Sequence, residues 1–239
     1  MRLDDLRTLI KNSLDRSSVY RTDAFLTRAI NYGQRLVAVL SLFDERRDTV
    51  SITGGRNYIA LPKDGTDKCI APLYVANTST GNRVHCCSVD EMEFYSSAWE
   101  GQTDTDALYY TLLSPFSYAY ASIVICPYPT ANTMTFSFVG AFEPEELDDD
   151  SDEPRLPEEY QDLLVTYTKF ESFIGEPGKV KEAVDEFKTF MDRLNQYIAS
   201  IKARYPSGRD FEPYSAEFGY TVITQQEQEA RKVEKQNES

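Results

Sequence analysis

The sequence predicts an α+β fold: a four-helix bundle formed by the N- and C-terminal helix pairs, with an inserted antiparallel β domain and an extended C-terminal tail. Three observations predict it. Apolar residues recur at helical spacing at both ends of the 239-residue chain, giving two complementary apolar faces. Between them lie short segments rich in Tyr, Phe, Ile and Val, separated by turn residues. Strands and helices are segregated along the chain rather than alternating, which separates α+β from α/β. The expected units are N-terminal helices over 1–45, a β-rich insertion over 46–142, an acidic loop over 143–155, a helical hairpin over 156–205 and a docking tail over 206–239.

Each element has a local cause. Leu3, Leu6, Ile10 and Leu14 make one stripe of a short first helix. Thr22 or Asp23 can cap a second helix that runs to about Phe43, because either side chain can accept a first-turn N–H. Its stripe is Leu26, Ile30, Gly33, Val37 and Leu40, and Gly33 would let another element approach closely. Strands at Asp48–Thr53 and Tyr58–Leu61 flank Gly54-Gly55-Arg56-Asn57, a hairpin signal. A second hairpin is expected around Gly81-Asn82, between Cys69–Thr78 and Arg83–Ser88. Ser88-Val89-Asp90-Glu91 is a capping box that starts a short helix running to about Trp99. Leu108–Leu113, Ala119–Cys126 and Thr133–Phe142 read as three further strands, the middle one stopped by Cys126-Pro127-Tyr128-Pro129. Leu156-Pro157-Glu158-Glu159 suits a helix start, with acids at the positive end of the dipole. The helix it opens is broken at Gly175-Glu176-Pro177-Gly178. The last helix places Val180, Val184, Phe187, Met191, Leu194, Ile198 and Ile201 at alternating steps of four and three.

Charge excludes several functions. The chain carries 39 acids against 25 bases, a net of −14, which argues against a free-standing nucleic-acid binder. The charge is uneven. Residues 1–142 are near neutral at −2, whereas 143–239 carry −12. Glu143 to Glu153 holds eight acids and no base, so it is expected to be a solvated, extended loop outside any core. A single His excludes HExxH and multi-His metal sites. Four Cys are too few for a disulfide scaffold. The N-terminus lacks the pattern of a signal peptide, and no apolar run reaches the ~18 residues of a membrane span, so a soluble cytoplasmic product without membrane contact is expected.

The candidate chemistry is thin. Gly54-Gly55-Arg56 lacks the Gly-Lys-Ser/Thr ending of a phosphate loop. His85, Cys86 and Cys87 with Cys69 and Cys126 have no C-x-x-C spacing, and strand alternation separates Cys86 from its neighbours. Asp148, Asp150, Asp152 and Glu159 fit a calcium-loop frame except that Glu153 stands where Gly is required. Glu158, Glu159 and Asp162 are explained by the helix dipole without acid–base catalysis. No cofactor, metal or catalytic residue is therefore expected. The tail is a stronger signal. Phe211, Tyr214, Phe218, Tyr220 and Val222 need a surface to bury on, either a partner or a neighbouring subunit, and their partial alternation suits strand addition.

The order of motifs resembles the head-to-tail adaptor proteins of tailed bacteriophages. The motifs are the Ile30-Asn31 and Gln34 helix; Tyr58 with Leu61-Pro62; Ser88 and Glu91 followed by Trp99; Pro127-Tyr128-Pro129; and Leu156-Pro157, Tyr160, Leu163-Leu164. The resemblance covers residues from about 20 to 204. It implies a virion structural protein without an active site, located at the head–tail junction. It also implies a ring, usually of twelve copies, beneath the portal, contacting neighbouring subunits and a tail or nozzle protein. DNA would pass through that ring without specific binding. Asp148, Asp149, Asp150 and Asp152 would then line the channel or its rim. An alternative reading is a soluble glycan-binding or glycan-processing module that stacks sugars on Tyr95, Trp99, Tyr109, Tyr110, Tyr118 and Tyr120.

Overall fold

A computed structural model describes residues 1–14, 18–54, 58–60, 69–95, 104, 106–113, 122–127 and 133–204. Its helices are α1 (Leu3–Ser13), α2 (Asp23–Ser41), α3 (Val89–Tyr95), α4 (Asp162–Ile174) and α5 (Val180–Arg204). Its strands are β1 (Glu45–Ile52), β2 (Tyr58–Ala60), β3 (Cys69–Asn77), β4 (Arg83–Cys86), β5 (Tyr109–Leu113), β6 (Ser122–Cys126) and β7 (Met134–Phe142). The fold is mixed α and β. No helix among the described residues is long and apolar enough to cross a membrane.

The local signals act where they stand. The Thr22 hydroxyl accepts from the Phe25 N–H at 3.4 Å and starts α2. At α3 the Ser88 hydroxyl accepts from the Glu91 N–H at 3.1 Å, and the Glu91 carboxylate accepts from the Ser88 N–H at 2.7 Å, so both arms of the capping box form. Gly81 adopts φ +74° in the β3–β4 turn, a conformation open to Gly at little cost. Asp106 braces that turn by accepting from Asn77 at 2.7 Å, Asn82 at 2.7 Å and Thr80 at 3.2 Å.

Apolar side chains of α1, α2, α4 and α5 converge on one core. Leu6 and Ile10, Leu26 and Ile30, Leu163 and Leu164, and Phe190 and Leu194 are all fully buried in it. Gly33 allows this closeness: a Cβ there would lie 2.9 Å from the Tyr167 ring. The stripe of α5 is only partly as expected. Val180 is exposed, and the buried face runs through Ala183, Phe190, Met191, Leu194, Tyr197, Ile198 and Ile201. Val180 is the first residue of α5, immediately after the connection from α4, and no helix among the described residues covers it.

The sheet departs from the expected insertion in two respects. Its strand order is β1-β7-β3-β4-β5-β6-β2. The expected hairpin between the first two strands does not form: β1 pairs with β7, and β2 with β6. Nor is the sheet wholly antiparallel, since β4 and β5 pair in parallel. The segment from Cys87 to Leu108, which holds α3, is long enough for the crossover that parallel neighbours need. Chain length also curls the sheet. The step from Ile52 to Tyr58 can span at most ~22 Å, whereas the six gaps of a flat seven-stranded sheet would put its edges ~29 Å apart. The edges therefore approach, and side chains from β1, β3, β4, β5, β6 and β7 meet in one cluster that includes Ile52, Val75, Tyr110, Ile125 and Phe136.

The helical core and the sheet are joined at the end of α2. Leu42 takes the left-handed conformation at φ 53° and stops the helix, its N–H donating to the Ala38 carbonyl at 2.8 Å. Its side chain then packs on Leu73 and Ala141 of the sheet. Next in sequence, the buried Asp44 carboxylate pairs with Arg46 at 2.8 Å and Arg155 at 3.6 Å, and its carbonyl accepts from the Phe142 N–H at 2.9 Å.

Candidate functional site

The acid-rich segment Glu143–Glu153 is not the loose loop its composition suggests. It is a strap pinned along α2 and across the start of α1. Asn31 grips it from both sides, its Nδ2 donating to the Leu147 carbonyl at 3.0 Å and its Oδ1 accepting from the Leu147 N–H at 2.9 Å. One turn on, Gln34 Nε2 donates to the Glu145 carbonyl at 2.9 Å, while Gln34 Oε1 accepts from the Arg155 N–H at 3.3 Å. The Leu147 side chain enters the helical core and is 4% exposed. The strap in turn caps α1: the Leu3 N–H donates to the Asp152 carbonyl at 2.8 Å, and the Asp4 N–H to that of Asp150 at 3.3 Å. Those are first-turn donors that the helix itself leaves unsatisfied.

The strap's charge is largely met from elsewhere. Arg35 pairs with Glu143 at 3.5 Å and Glu146 at 3.3 Å, Arg155 with Glu145 at 3.8 Å, and Arg2 with Glu153 at 4.0 Å. Arg7, almost wholly buried, pairs with Asp150, and also with Asp4 and Asp23. Burial alone would lower the Arg7 pKa, but the carboxylates of Asp150, Asp23 and Asp4 outweigh it and raise it. Five of the eight acids thus have an arginine partner. The Asp152 carboxylate instead folds into its own loop and accepts from the Asp148 and Asp149 N–H groups, both at 2.8 Å.

Relative magnitudes identify what holds the strap. Exposed ion pairs contribute about 0–1 kcal/mol each. Burying the Leu147 side chain contributes about 1.5–3 kcal/mol, and each of the four Asn31 and Gln34 hydrogen bonds about 0.5–1.5 kcal/mol. The two amides and the leucine fasten the strap, and the arginines compensate its charge.

The expected channel residues therefore divide. Asp150 is taken up by Arg7 and Asp152 by backbone N–H groups, so neither is a free charge. Asp148 and Asp149 are exposed, and their carboxylates make no ion pair among the described residues. The tail candidates Phe211, Tyr214, Phe218, Tyr220 and Val222 lie outside the described residues, as do Trp99, Tyr118, Tyr120 and the side chain of Tyr95. Of the remaining proposed sugar-stacking rings, Tyr110 is fully buried in the sheet core and Tyr109 packs on the cluster of Met92 and Val124. Neither forms an open platform, because the curl turns the β5 side chains into packing contacts.

Cys69, Cys86 and Cys87 likewise take packing roles. Cys69 is buried in the sheet core, and burial pushes its thiol up to about 12, away from nucleophilic character. Among the described residues, no group of three or more His, Cys, Asp or Glu side chains is placed to hold a metal ion.

Acid should loosen the strap at Asp152. The N–H groups of Asp149 and Asp148 hold its carboxyl below the ordinary 3.8. A depressed native pKa contributes stability that is present above the ordinary value and lost as pH falls through the native one. Protection of the Asp148 and Asp149 amides, taken relative to the intrinsic exchange rate at each pH, is expected to hold at pH 5 and to fall below about pH 3.8. Protection that stays constant across that window would remove Asp152 as the organiser.

Helical units and a curled sheet, linked by a pinned strap, thus present a surface rich in charge. The family model for SU10 adaptor protein matches residues 1–210, and the chain belongs to that family. It is thus a structural adaptor of bacteriophage virions. No curated protein matches the chain. The match includes α1 and the strap, both beyond the expected motifs, and it ends just before the aromatic tail residues. The Ile30-Asn31 and Gln34 motif now has a physical meaning, since its two amides fasten the strap.

Proposed function

We propose that this chain is the head-to-tail adaptor that forms a ring beneath the portal, of twelve copies, joining capsid to tail and extending the DNA channel. The family match over residues 1–210 is the observation that carries the reading. On this reading the N- and C-terminal helices work as one bundle with the sheet inserted between its halves, and no catalytic step or cofactor is involved. The partners are the portal, neighbouring copies and a tail or nozzle protein. The protein is made in the host cytoplasm and resides at the head–tail junction. Phe211, Tyr214, Phe218, Tyr220 and Val222 dock on the portal or on a neighbouring subunit. Asp148 and Asp149 stand at the lumen or its rim, where uncompensated negative charge repels passing DNA and lets it slide. Asp150 and Asp152 hold that rim in shape.

Mixing the purified protein with its cognate portal is expected to give a discrete ring complex, visible by electron microscopy. Removal of residues 206–239 is expected to abolish it. A portal that binds no adaptor, or a ring that assembles unchanged without the tail, would overturn the reading. A ring with Asp148 and Asp149 on its outer wall would overturn the sliding role alone.

A further inference from the structure

Where α5 ends, a groove of about 540 Å³ opens between the helical core and the start of β1. Tyr197, Ile201 and Arg204 line it from one face of α5, at steps of four and three, and Phe43 faces them from the end of α2. The Phe43 and Tyr197 rings lie 6.0 Å apart. Two cations stand on its walls, Arg155 and Arg204, with side chains 42% and 63% exposed. Their pairs with Asp44, Glu145 and Glu159 span 3.6 to 3.8 Å, longer than hydrogen bonds, so both guanidinium groups have capacity for another carboxylate. Two acids, Asp44 and Glu45, also line it; Asp44 is committed to Arg46 at 2.8 Å, and Glu45 makes an interaction of its own.

We propose that residues 210–217 of the same chain dock in this groove before the adaptor meets its partners. The chain leaves α5 at Arg204, itself part of the groove lining, with 35 residues to follow. Asp210-Phe211-Glu212-Pro213-Tyr214-Ser215-Ala216-Glu217 combines two aromatic rings with three acids and no base. Its rings suit the aromatic and aliphatic floor, and its acids suit the two exposed arginines, Arg155 and Arg204. Reach favours the same chain. Phe211 lies seven residues past Arg204, a span of up to ~24 Å, while Tyr197 lies only ~10 Å back along the helix axis. Tethering so short holds the segment at an effective concentration on the order of millimolar, above that of any other copy at ordinary protein concentrations. The consequence is protective. The docking segment is masked in the free subunit and becomes available when a portal or ring contact outcompetes the groove. The inference rests on the proposed docking role only in naming the same segment.

Hydrogen exchange read by mass spectrometry on the full chain, without portal, tests it. Amides of 210–217 are expected to exchange about tenfold more slowly than in a Phe211→Ala, Tyr214→Ala variant. That protection should persist on dilution and fall in an Arg155→Glu, Arg204→Glu variant whose urea midpoint shows it still folded. Wild-type amides as fast as the variant's would overturn the proposal, and protection that fades on dilution would assign the groove to a second copy instead. The portal-mixing experiment is separate: a protected tail with no ring complex would sink the adaptor reading and leave this one standing.

Discussion

Replacing Asn31 and Gln34 together by alanine is expected to destabilise the protein by about 3 kcal/mol and to free the strap. The change deletes four hydrogen bonds to backbone: two at Leu147, one at Glu145 and one at Arg155. The loss exceeds four ordinary surface contacts, because the groups left behind are partly covered and water does not fully replace the amides. Leu147 then loses its seat in the helical core, and α1 loses the carbonyls of Asp150 and Asp152 that cap it. Urea unfolding would give the energy, and hydrogen exchange over 143–155 would show where the opening occurs. Glu146→Ala is the comparison. It removes only the exposed pair with Arg35 and should cost no more than about 1 kcal/mol, the scale of exposed ion pairs. If Glu146→Ala cost as much as the double amide change, electrostatics rather than the amides would hold the strap.

Gly33→Leu is expected to cost about 3 kcal/mol, and Gly33→Ala about 1 to 2, although alanine normally stabilises a helix relative to glycine by about 1 kcal/mol. The sign is decided by Tyr167. Its Cδ1 would lie 2.9 Å from a new Cβ and its Cγ 3.3 Å, closer than carbon atoms tolerate. The ring has little room to retreat. Phe190 stands 5.3 Å from it centroid to centroid and Phe170 6.0 Å, and its hydroxyl donates to Glu171 at 2.7 Å. The contact must therefore be relieved by separating α2 from α4. A double-mutant cycle of Gly33→Ala with Tyr167→Leu reads the contact directly, and the pair should be less destabilising than the sum of its members. Strict additivity would place the cost of Gly33→Ala somewhere other than Tyr167. The same separation would move the groove at the end of α5, since α4 and α5 pack on each other through Phe187 and Phe170, 4.8 Å apart.

Much of the fold was legible because its causes are local. The Thr22 cap, the Ser88 and Glu91 capping box, the Gly81 turn and the stripes of α1 and α2 each depend on residues within about one or two turns of one another. Gly33 was readable as a point of close approach, though not that Tyr167 would be what approached it. The family motifs were also legible, as a fixed order of short patterns.

The sequence by itself thus determined where helices start and stop, which faces are apolar, and that the acid is concentrated in eleven residues. Only the tertiary structure decided partners. A strand's own alternation does not name its neighbour, so β1 and β2 read as a hairpin yet pair with β7 and β6. Tyr110 reads equally well as a platform or as core, and the curl of the sheet buries it. The acid-rich segment holds no base and reads as repelled into solvent. Its counter-charges Arg7 and Arg35, and the amides that fasten it, lie more than a hundred residues earlier in the chain. Hydrogen bonding and charge compensation depend on distance in space, and for this strap that distance is set by how α1 and α2 pack against the C-terminal helices.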